Sequence, residues 1–177
     1  ATLALAALSF YVLEQRVSRW GGGMKTRFCR LLAIDTHSPV STSCRIVAVS
    51  GERPVPGASV WHTYPDGGAT FAAPDGGWVY ANNSEVPLGL GGVSALRFDR
   101  LGQVVGAHRV LNGTSTNCAG GATPWGTWLS AEETSLGRVW ECLPFGSASQ
   151  AAARPALGIF KHEAVAVDPL HRTLYLT

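Results

Sequence analysis

Apolar and polar residues alternate in short runs after residue 44, and this pattern predicts β-strands rather than helices. Turn residues separate the runs about every eight to twelve positions, which is typical of a sandwich, a barrel or a propeller. Asp66-Gly67, Asp75-Gly76 and Asn112-Gly113 are the clearest turn signals. The predicted strands are Arg45–Val49, Val60–Tyr64, Thr70–Ala73, Trp78–Ala81, Gly92–Phe98, Gln103–Leu111, Thr127–Glu133, Arg138–Cys142, Ala164–Val167 and Thr173–Thr177.

The first 43 residues differ from the rest of the chain and are predicted to form an N-terminal targeting and linker segment. Residues 1–13 are almost entirely apolar, but this run is too short to span a bilayer as a helix. Basic residues follow between positions 16 and 30, and the glycines at 21–23 would end any helix there. The end of a signal peptide, a signal anchor in contact with a membrane and a short amphipathic helix all fit this pattern.

Composition narrows the class of protein and its partners. Charged residues make up only 15% of the chain, and glycine and proline number 21 and 10. Low charge with many glycines and prolines indicates short strands joined by tight turns. The net charge of +2 and the absence of any run of Lys and Arg predict that the protein does not bind nucleic acid.

The four cysteines, Cys29, Cys44, Cys118 and Cys142, form no Cys-x-x-Cys pair, which argues against a zinc ribbon or a thioredoxin-type site. In an exported protein they could form two disulfides in three ways, and their spacing does not choose among these pairings. A bridge between Cys118 and Cys142 would be the direct alternative to a metal-bound Cys118.

The segment Asn117–Glu133 combines a thiol, several turn residues, two tryptophans and two adjacent carboxylates. Its turn residues predict a loop over Cys118–Gly126, and its large side chains predict a strand over Thr127–Glu133. A thiol on a loop and a carboxylate at a strand end can meet at one point, so this segment could form a metal site. The alternative is a tight turn, a buried free cysteine and a solvated strand end.

Further carboxylates lie at the ends of predicted strands. Glu85 follows one strand and Glu163 precedes another, while Glu132 and Glu133 end a third. Neighbours on a strand point to opposite faces, so at most one of Glu132 and Glu133 readily joins a shared site, and the pattern does not decide which. Such carboxylates could supply part of the about six to eight oxygen atoms that Ca²⁺ prefers, and a thiolate would suit a transition metal.

Other candidate residues have simpler interpretations. Asp66, Asp75 and Asp168 each precede Gly or Pro and are interpreted as turn residues. His162 alone is more typical of a hydrogen-bonded histidine in the core or at the surface than of a metal ligand. The chain contains no nucleophile elbow, phosphate-binding loop, dinucleotide-binding glycine motif or His-Glu-x-x-His motif.

Four segments resemble the PhoX-type alkaline phosphatases and occur in the same order as in that family. They are Pro65–Glu85, Gly91–Ser94, Asn117–Glu133 and Ala156–Ala164, within a similarity that covers roughly residues 44–177. The resemblance implies an all-β fold, an incomplete β-propeller of two to three blades over residues 44–177. It also implies export to the periplasm or the cell exterior, and a phosphomonoesterase that uses Ca²⁺ and Fe³⁺ on small phosphate esters.

Carried over by position, Cys118 would be the thiolate on iron and Glu133 a calcium ligand, with Glu85 and Glu163 as further metal ligands. His162 and Glu132 would lie beside these ligands. Clustered cations would bind the phosphate oxygens, hold the ester in line and neutralise charge in the transition state. Such chemistry requires no side-chain nucleophile, which agrees with the missing motifs.

The chain departs from the family at several points. Gly68 replaces the usual Met after the Pro-Asp-Gly turn, and the first 40 residues match neither the family nor a twin-arginine signal. The chain does not begin with Met and stops inside an apolar run, so we expect part of a longer, monomeric protein, inactive as this part alone. A calcium-dependent propeller lactonase or esterase and a non-catalytic binding propeller are the alternative functions.

Overall fold

A computed structural model describes the backbone of residues 10–11, 25–31 and 42–177, and the side chains from residue 45 onward. These residues form β-strands and two short 3₁₀ turns, Ala148–Gln150 and Pro155–Leu157. The strands are β1 (Phe10–Tyr11), β2 (Lys25–Leu31), β3 (Thr42–Val49), β4 (Pro65–Ala72), β5 (Trp78–Ser84), β6 (Gly91–Phe98), β7 (Val104–Thr114), β8 (Asn117–Ala122), β9 (Trp128–Glu132), β10 (Val139–Cys142), β11 (Ala152–Ala153), β12 (Val165–Asp168) and β13 (Thr173–Leu176). In this described part of the chain, no helix has the length and apolar character that crossing a membrane requires.

Neighbouring strands pair antiparallel in sheets that follow one another along the chain. The strand orders are β1-β2-β3, β4-β5-β6-β7, β8-β9-β10-β11 and β12-β13. Two four-stranded meanders in succession are the repeating unit of a propeller, and the described sheets do not close into a barrel. The predicted all-β, incomplete propeller-like fold is therefore confirmed.

Apolar side chains on the sheet faces pack successive sheets together. One buried cluster joins Val79 of β5 to Trp128 of β9, and a second places Phe98 of β6 against β3. A third cluster joins Leu129 of β9 to Val165 of β12. Each fully buried large apolar side chain contributes about 1.5–3 kcal/mol, so these faces, rather than the short turns, hold the sheets in place.

Glycines allow the first strands of neighbouring sheets to approach closely. β4 packs against β8, and β8 packs against β12. A Cβ atom on Gly67 would lie 2.6 Å from the Cα of Ala119, and one on Gly121 would lie 1.9 Å from the carbonyl oxygen of Val165. Larger residues at these two positions would push the strands apart. The close packing brings the N-terminal ends of β4 and β8 next to each other.

The hairpin that joins the first strand to the second is repeated in the two four-stranded sheets. The amides of Gly76 and Gly126 each donate to the carbonyl three residues earlier, at 3.0 and 3.1 Å. The φ angles of these glycines, 81° and 87°, are ones that glycine adopts at low cost. Trp78 and Trp128 then begin β5 and β9. The recurrence of Pro-x-Gly-x-Trp indicates that both sheets are copies of one unit.

Two strand predictions are corrected by the structure. The predicted loop Cys118–Gly126 begins with strand β8, because two of its glycines, Gly120 and Gly121, serve close packing rather than turning: a Cβ on Gly120 would lie 1.8 Å from the carbonyl oxygen of Leu129. The predicted strand Val60–Tyr64 is irregular chain, and its backbone turns at Tyr64 with a φ of 48°. The prediction, which relied on apolar content alone, therefore placed the start of the first four-stranded sheet too early, at Val60 instead of Pro65.

The described parts of the N-terminal segment are extended. β1 pairs with β2, and β2 pairs with β3, so the helical option does not hold for residues 10–11 and 25–31. The remainder of residues 1–41, including the glycines at 21–23, lies outside the described residues. The division of the chain at residues 43 and 44 stays a prediction.

Candidate metal centre

The N-terminal ends of β4 and β8 bring carboxylates and a thiol together. One ligand atom from each of Asp66, Glu85 and Cys118 lies within 4.8 Å of the others. The Cys118 thiol donates to Asp66 Oδ2 at 3.3 Å and also forms a hydrogen bond with the carboxylate of Glu133. These four residues, here called the Cys118 cluster, come from two successive sheets.

Asp66 and Cys118 both lie in β-bulges. The pairing of β4 with β5 shifts register around Asp66, and the pairing of β8 with β9 shifts register around Cys118. A bulge adds a residue to one strand and changes the direction in which its side chain points. Gly67 follows directly and lets the two strands come close, so the local sequence aims the carboxylate and the thiol at each other.

The Cys118 thiol is protonated in these surroundings. Burial raises the pKa of Cys118, and the charges and hydrogen bonds of Asp66 and Glu133 raise this pKa further. A bound cation would reverse the balance, because it stabilises the thiolate and offsets the carboxylate charges. Two kinds of ligand atom, carboxylate oxygen and sulfur, thus converge at a place where a bound cation would offset the repulsion between the carboxylates and a Cys118 thiolate.

Lys161 places an ammonium group against the Cys118 cluster. Its Nζ lies 2.9 Å from Glu133 Oε1. The hydrogen bond and charge of Lys161 lower the pKa of Glu133, and Glu133 in turn raises the pKa of Lys161. The lysine side chain is 67% exposed, so the ammonium group lies where the cluster meets solvent.

Glu163 and His162 lie beside the cluster but differ in their environments. The Glu163 carbonyl accepts a hydrogen bond from Ala119 N at 3.1 Å, which connects the residue to β8. Its carboxylate is exposed, and the negative charge of this carboxylate raises the pKa of Lys161. His162 is fully buried, and its ring nitrogens have no hydrogen-bond partner among the described residues. Its ring lies against Phe160 with the centroids 3.8 Å apart. The hydrogen-bonded histidine of the simpler interpretation is therefore not what the structure shows.

Glu132 points away from the cluster and binds its own surroundings. Its carboxylate accepts hydrogen bonds from Ser115 N at 2.8 Å, Arg138 N at 3.1 Å and Trp140 Nε1 at 3.0 Å. These contacts give Glu132 a structural task instead of the position beside the metal ligands predicted for it. The alternation of side chains along β9 explains why Glu133, and not Glu132, faces Cys118.

The alternative to a metal-bound Cys118, a bridge to Cys142, does not form. Both Cys118 and Cys142 are free thiols. Cys142 is fully buried in the apolar cluster between the four-stranded sheets, and burial raises its pKa to about 12. Cys142 is therefore a core residue, and Cys118 is the thiol with polar neighbours.

The three aspartates interpreted as turn residues divide into two groups. Asp75 lies in a turn, where its Oδ1 accepts from Gly77 N at 3.0 Å. Asp168 is the last residue of β12, and its Oδ1 accepts from Leu170 N at 3.0 Å in the turn that follows. Asp66 instead lies in β4 and contacts Cys118, so its interpretation as a turn residue was wrong. The repeated Pro-x-Gly-x-Trp hairpin could have identified this from the sequence. The segment before each copy is the first strand of a four-stranded sheet, β4 before the first copy and β8 before the second.

Comparison with known proteins bears on one part of the chain. No curated protein and no solved structure matches the chain. A family model described as "Alkaline phosphatase PhoX" matches residues 92–143, which extend from β6 through β10 and include Cys118 and Glu133. The resemblance inferred from the sequence is thereby confirmed for this stretch: residues 92–143 of the chain are similar to the alkaline phosphatase PhoX family.

Proposed function

We propose that the chain carries part of the metal site of a PhoX-type phosphomonoesterase, which hydrolyses small phosphate esters with Ca²⁺ and Fe³⁺ bound. The observation that supports this most strongly is the Cys118 thiol beside three carboxylates from two successive sheets. Cys118 lies inside the stretch that matches the phosphatase family. A core cysteine would have apolar neighbours, as Cys142 has.

The residues of the cluster fit these two ions by the chemistry of their donors. Carboxylate oxygens suit Ca²⁺, and a thiolate suits iron. Asp66, Glu85 and Glu133 would hold the cations, and Cys118 would supply sulfur to iron. Glu163, whose carbonyl accepts from Ala119 N beside Cys118, would be a further ligand. When bound, the cations would bind phosphate oxygens and neutralise the charge that develops during hydrolysis.

Lys161 gives the site a further positive group of its own. Its ammonium lies at the edge of the cluster, held by Glu133 and open to solvent. A lysine in such a place can bind the phosphate of an incoming ester as a point charge. We therefore include Lys161 among the residues that would orient the substrate.

Metal content and phosphate binding test this function. The chain, loaded with Fe³⁺ and Ca²⁺ and then desalted, should retain both metals in elemental analysis and should bind inorganic phosphate in ³¹P NMR. Calcium without iron would favour the calcium-dependent lactonase or esterase. Retention of neither metal would favour a non-catalytic binding propeller.

Turnover is a separate expectation. The cluster offers three carboxylates and a thiol, which are few ligands for two cations, since Ca²⁺ alone prefers about six to eight oxygen atoms. We expect little or no hydrolysis of p-nitrophenyl phosphate by the 177-residue chain, and rapid metal-dependent hydrolysis would show that the cluster suffices. Export and a monomeric state stay predictions, to be tested by cell fractionation and by light scattering.

A further inference from the structure

Two adjacent asparagines at the end of β5 reach the two bulges that carry Asp66 and Cys118. Asn82 and Asn83 are both fully buried. As neighbours on a strand they point to opposite faces, so one side chain contacts the first strand of its own sheet and the other contacts the first strand of the next sheet.

The Asn83 side chain binds two successive backbone carbonyls, those of Cys118 and Ala119. Its Nδ2 donates to the carbonyl of Cys118 at 3.0 Å and to the carbonyl of Ala119 at 2.6 Å. Its Oδ1 accepts from Trp128 Nε1 and from Ser130 Oγ, both at 2.9 Å. Both ends of the carboxamide are thus fixed, and the side chain has its full set of partners.

Asn82 makes the matching contacts at the other bulge. Its Nδ2 donates to the carbonyl of Asp66 at 2.5 Å and to the hydroxyl oxygen of Tyr80 at 2.9 Å, and it lies 3.3 Å from the carbonyl of Gly67. Its Oδ1 forms a 2.9 Å hydrogen bond with Nε2 of His62. The two asparagines therefore bind the carbonyls of the two ligand-bearing residues and of the residues that follow them.

The bulges explain why these contacts matter for position. A bulge interrupts the regular pairing of a strand, and residues 66–67 and 118–119 have no opposite residue in the register of their strand pairs. The carboxamide groups of Asn82 and Asn83 supply partners to the carbonyls of these residues. Without them the chain at each bulge would be held by fewer contacts, chiefly the glycine packing and the hydrogen bond from Ala119 N to the Glu163 carbonyl, and the direction of the carboxylate and the thiol would be less defined.

We propose that Asn82 and Asn83 are positioning residues that fix Asp66 and Cys118 at the spacing required for a shared metal ion. This inference rests on the proposed metal site, and neither asparagine has a free polar atom left to bind the ion itself. The role is comparable to that of the groups that orient metal ligands from behind, whose loss weakens metal binding about 10–100-fold.

The test substitutes the donor and keeps the acceptor. In Asn83→Asp the oxygen that accepts from Trp128 and Ser130 remains, while the two donors to the carbonyls of Cys118 and Ala119 are lost. Co²⁺ is titrated into the folded 177-residue chain, and the thiolate-to-cobalt charge-transfer band reports the contact with Cys118 directly. We expect about 10–100-fold weaker binding and a shifted or weakened band at saturation.

Asn117→Asp is the matched control. Asn117 is also fully buried, but within the described part of the chain its side chain bonds only the side chains of Thr114 and Ser130, at 2.6 and 2.9 Å. It should lose stability in urea like Asn83→Asp while keeping the band and the cobalt affinity within about threefold of the original chain. If Asn83→Asp does not fold, Ser130→Ala, which removes one of the two donors to Asn83 Oδ1, should still weaken cobalt binding by more than about threefold, beyond the range expected for Asn117→Asp.

The outcomes separate the two proposals. If the unaltered chain gives no charge-transfer band, the metal site and the positioning role both fail. If it gives the band and Asn83→Asp, or its substitute Ser130→Ala, binds cobalt as tightly with the same band, the metal site stands and the positioning role is overturned. Equal losses in Asn83→Asp and Asn117→Asp would also overturn it, because they would show a general effect of a buried carboxylate.

Discussion

The carboxylates of the Cys118 cluster disfavour the thiolate form of Cys118 unless a further positive charge lies among them. Asp66 and Glu133 raise the pKa of the Cys118 thiol, so the sulfur keeps its proton near neutral pH. Lys161 contacts Glu133 and leaves Asp66 without a comparable partner among the described ion pairs. At the scale of residues, this imbalance is the reason to expect that a cation binds here.

His62 should make the chain less stable in acid. Burial, together with the charge of Arg109, lowers the pKa of His62 to about 3, against about 6.5 in an unfolded chain. The unfolded state therefore binds more protons below about pH 6.5. The contribution of His62 is complete above that pH and falls by up to about 1.4 kcal/mol per pH unit as the pH drops toward 3.

Urea unfolding of the original chain and of His62→Gln, measured from about pH 7.5 to about pH 4.5, isolates this effect. Glutamine does not titrate and can keep a hydrogen bond to Asn82, so the variant should lose stability less steeply as the pH falls. The carboxylates titrate alike in both proteins. Identical slopes for the two would contradict the assignment to His62.

Glu132→Ala should lose stability without losing bound metal. The substitution leaves two backbone amides and the Trp140 indole without their acceptor in a buried place, for which we expect a loss of about 2–4 kcal/mol in the free energy of unfolding. Urea unfolding measures this loss, and the thiolate-to-cobalt band measures the metal site below the unfolding transition. Loss of the band with unchanged stability would contradict this structural role and would support the original prediction that Glu132 lies beside the metal ligands.

Sequence reasoning at this scale reached some residues and missed others for a physical reason. Cys118, Glu85 and Glu133 were predicted as ligands, and they do lie in one cluster. Asp66 was missed because Asp-Gly is typical of turns, and only the bulge in β4 aims its side chain at Cys118. The partners of Asn82 and Asn83 depend on contacts between elements distant in sequence, which strand patterns do not reveal.

At the scale of elements, glycine has two roles that look alike in the sequence. Gly76 and Gly126 turn the chain with positive φ angles. Gly67 and Gly121 instead remove a side chain where one strand crosses another. Strand β8 was predicted as a loop because the sequence does not distinguish these two roles of glycine. Strand β9, with its large apolar side chains, was predicted within one residue of its observed bounds, whereas β7 continues through the predicted turn at Asn112-Gly113 to Thr114.

Gly67→Ala should separate β4 from β8. The added Cβ would lie 2.6 Å from the Cα of Ala119, which is backbone and cannot move aside as a flexible side chain would. We expect a loss of about 1–3 kcal/mol in the free energy of unfolding, together with a weaker thiolate-to-cobalt band, because Asp66 adjoins the shifted residue. Urea unfolding and the cobalt titration measure the two effects.

Gly106→Ala in β7 is the matched control. A Cβ there would be 3.8 Å from its nearest neighbour, the Cβ of Arg97, which is an ordinary contact. This variant should be as stable as the original chain or slightly more so, because alanine loses less conformational freedom than glycine on folding. Equal destabilisation by the two substitutions would show that Gly67 does not matter for close packing.

At the scale of the whole molecule, the two four-stranded sheets have the same topology and pack against each other through their apolar faces. The predicted fold class followed from short strands at regular spacing, and the repeated hairpins and three apolar clusters bear it out. This stacking places the first strands of successive sheets side by side, so residues separated by some fifty positions can converge on one ion. The family match over residues 92–143 covers the part of this arrangement that carries the thiol.

The central claim, that the Cys118 sulfur and the carboxylates around it hold iron, is tested most directly by X-ray absorption at the iron edge. The measurement compares the Fe³⁺-loaded chain with Fe³⁺-loaded Cys118→Ser. The account predicts one sulfur neighbour of iron in the original chain, lost in the variant together with most of the bound iron. Iron surrounded only by oxygen or nitrogen in the original chain, or the same spectrum in both proteins, would contradict it.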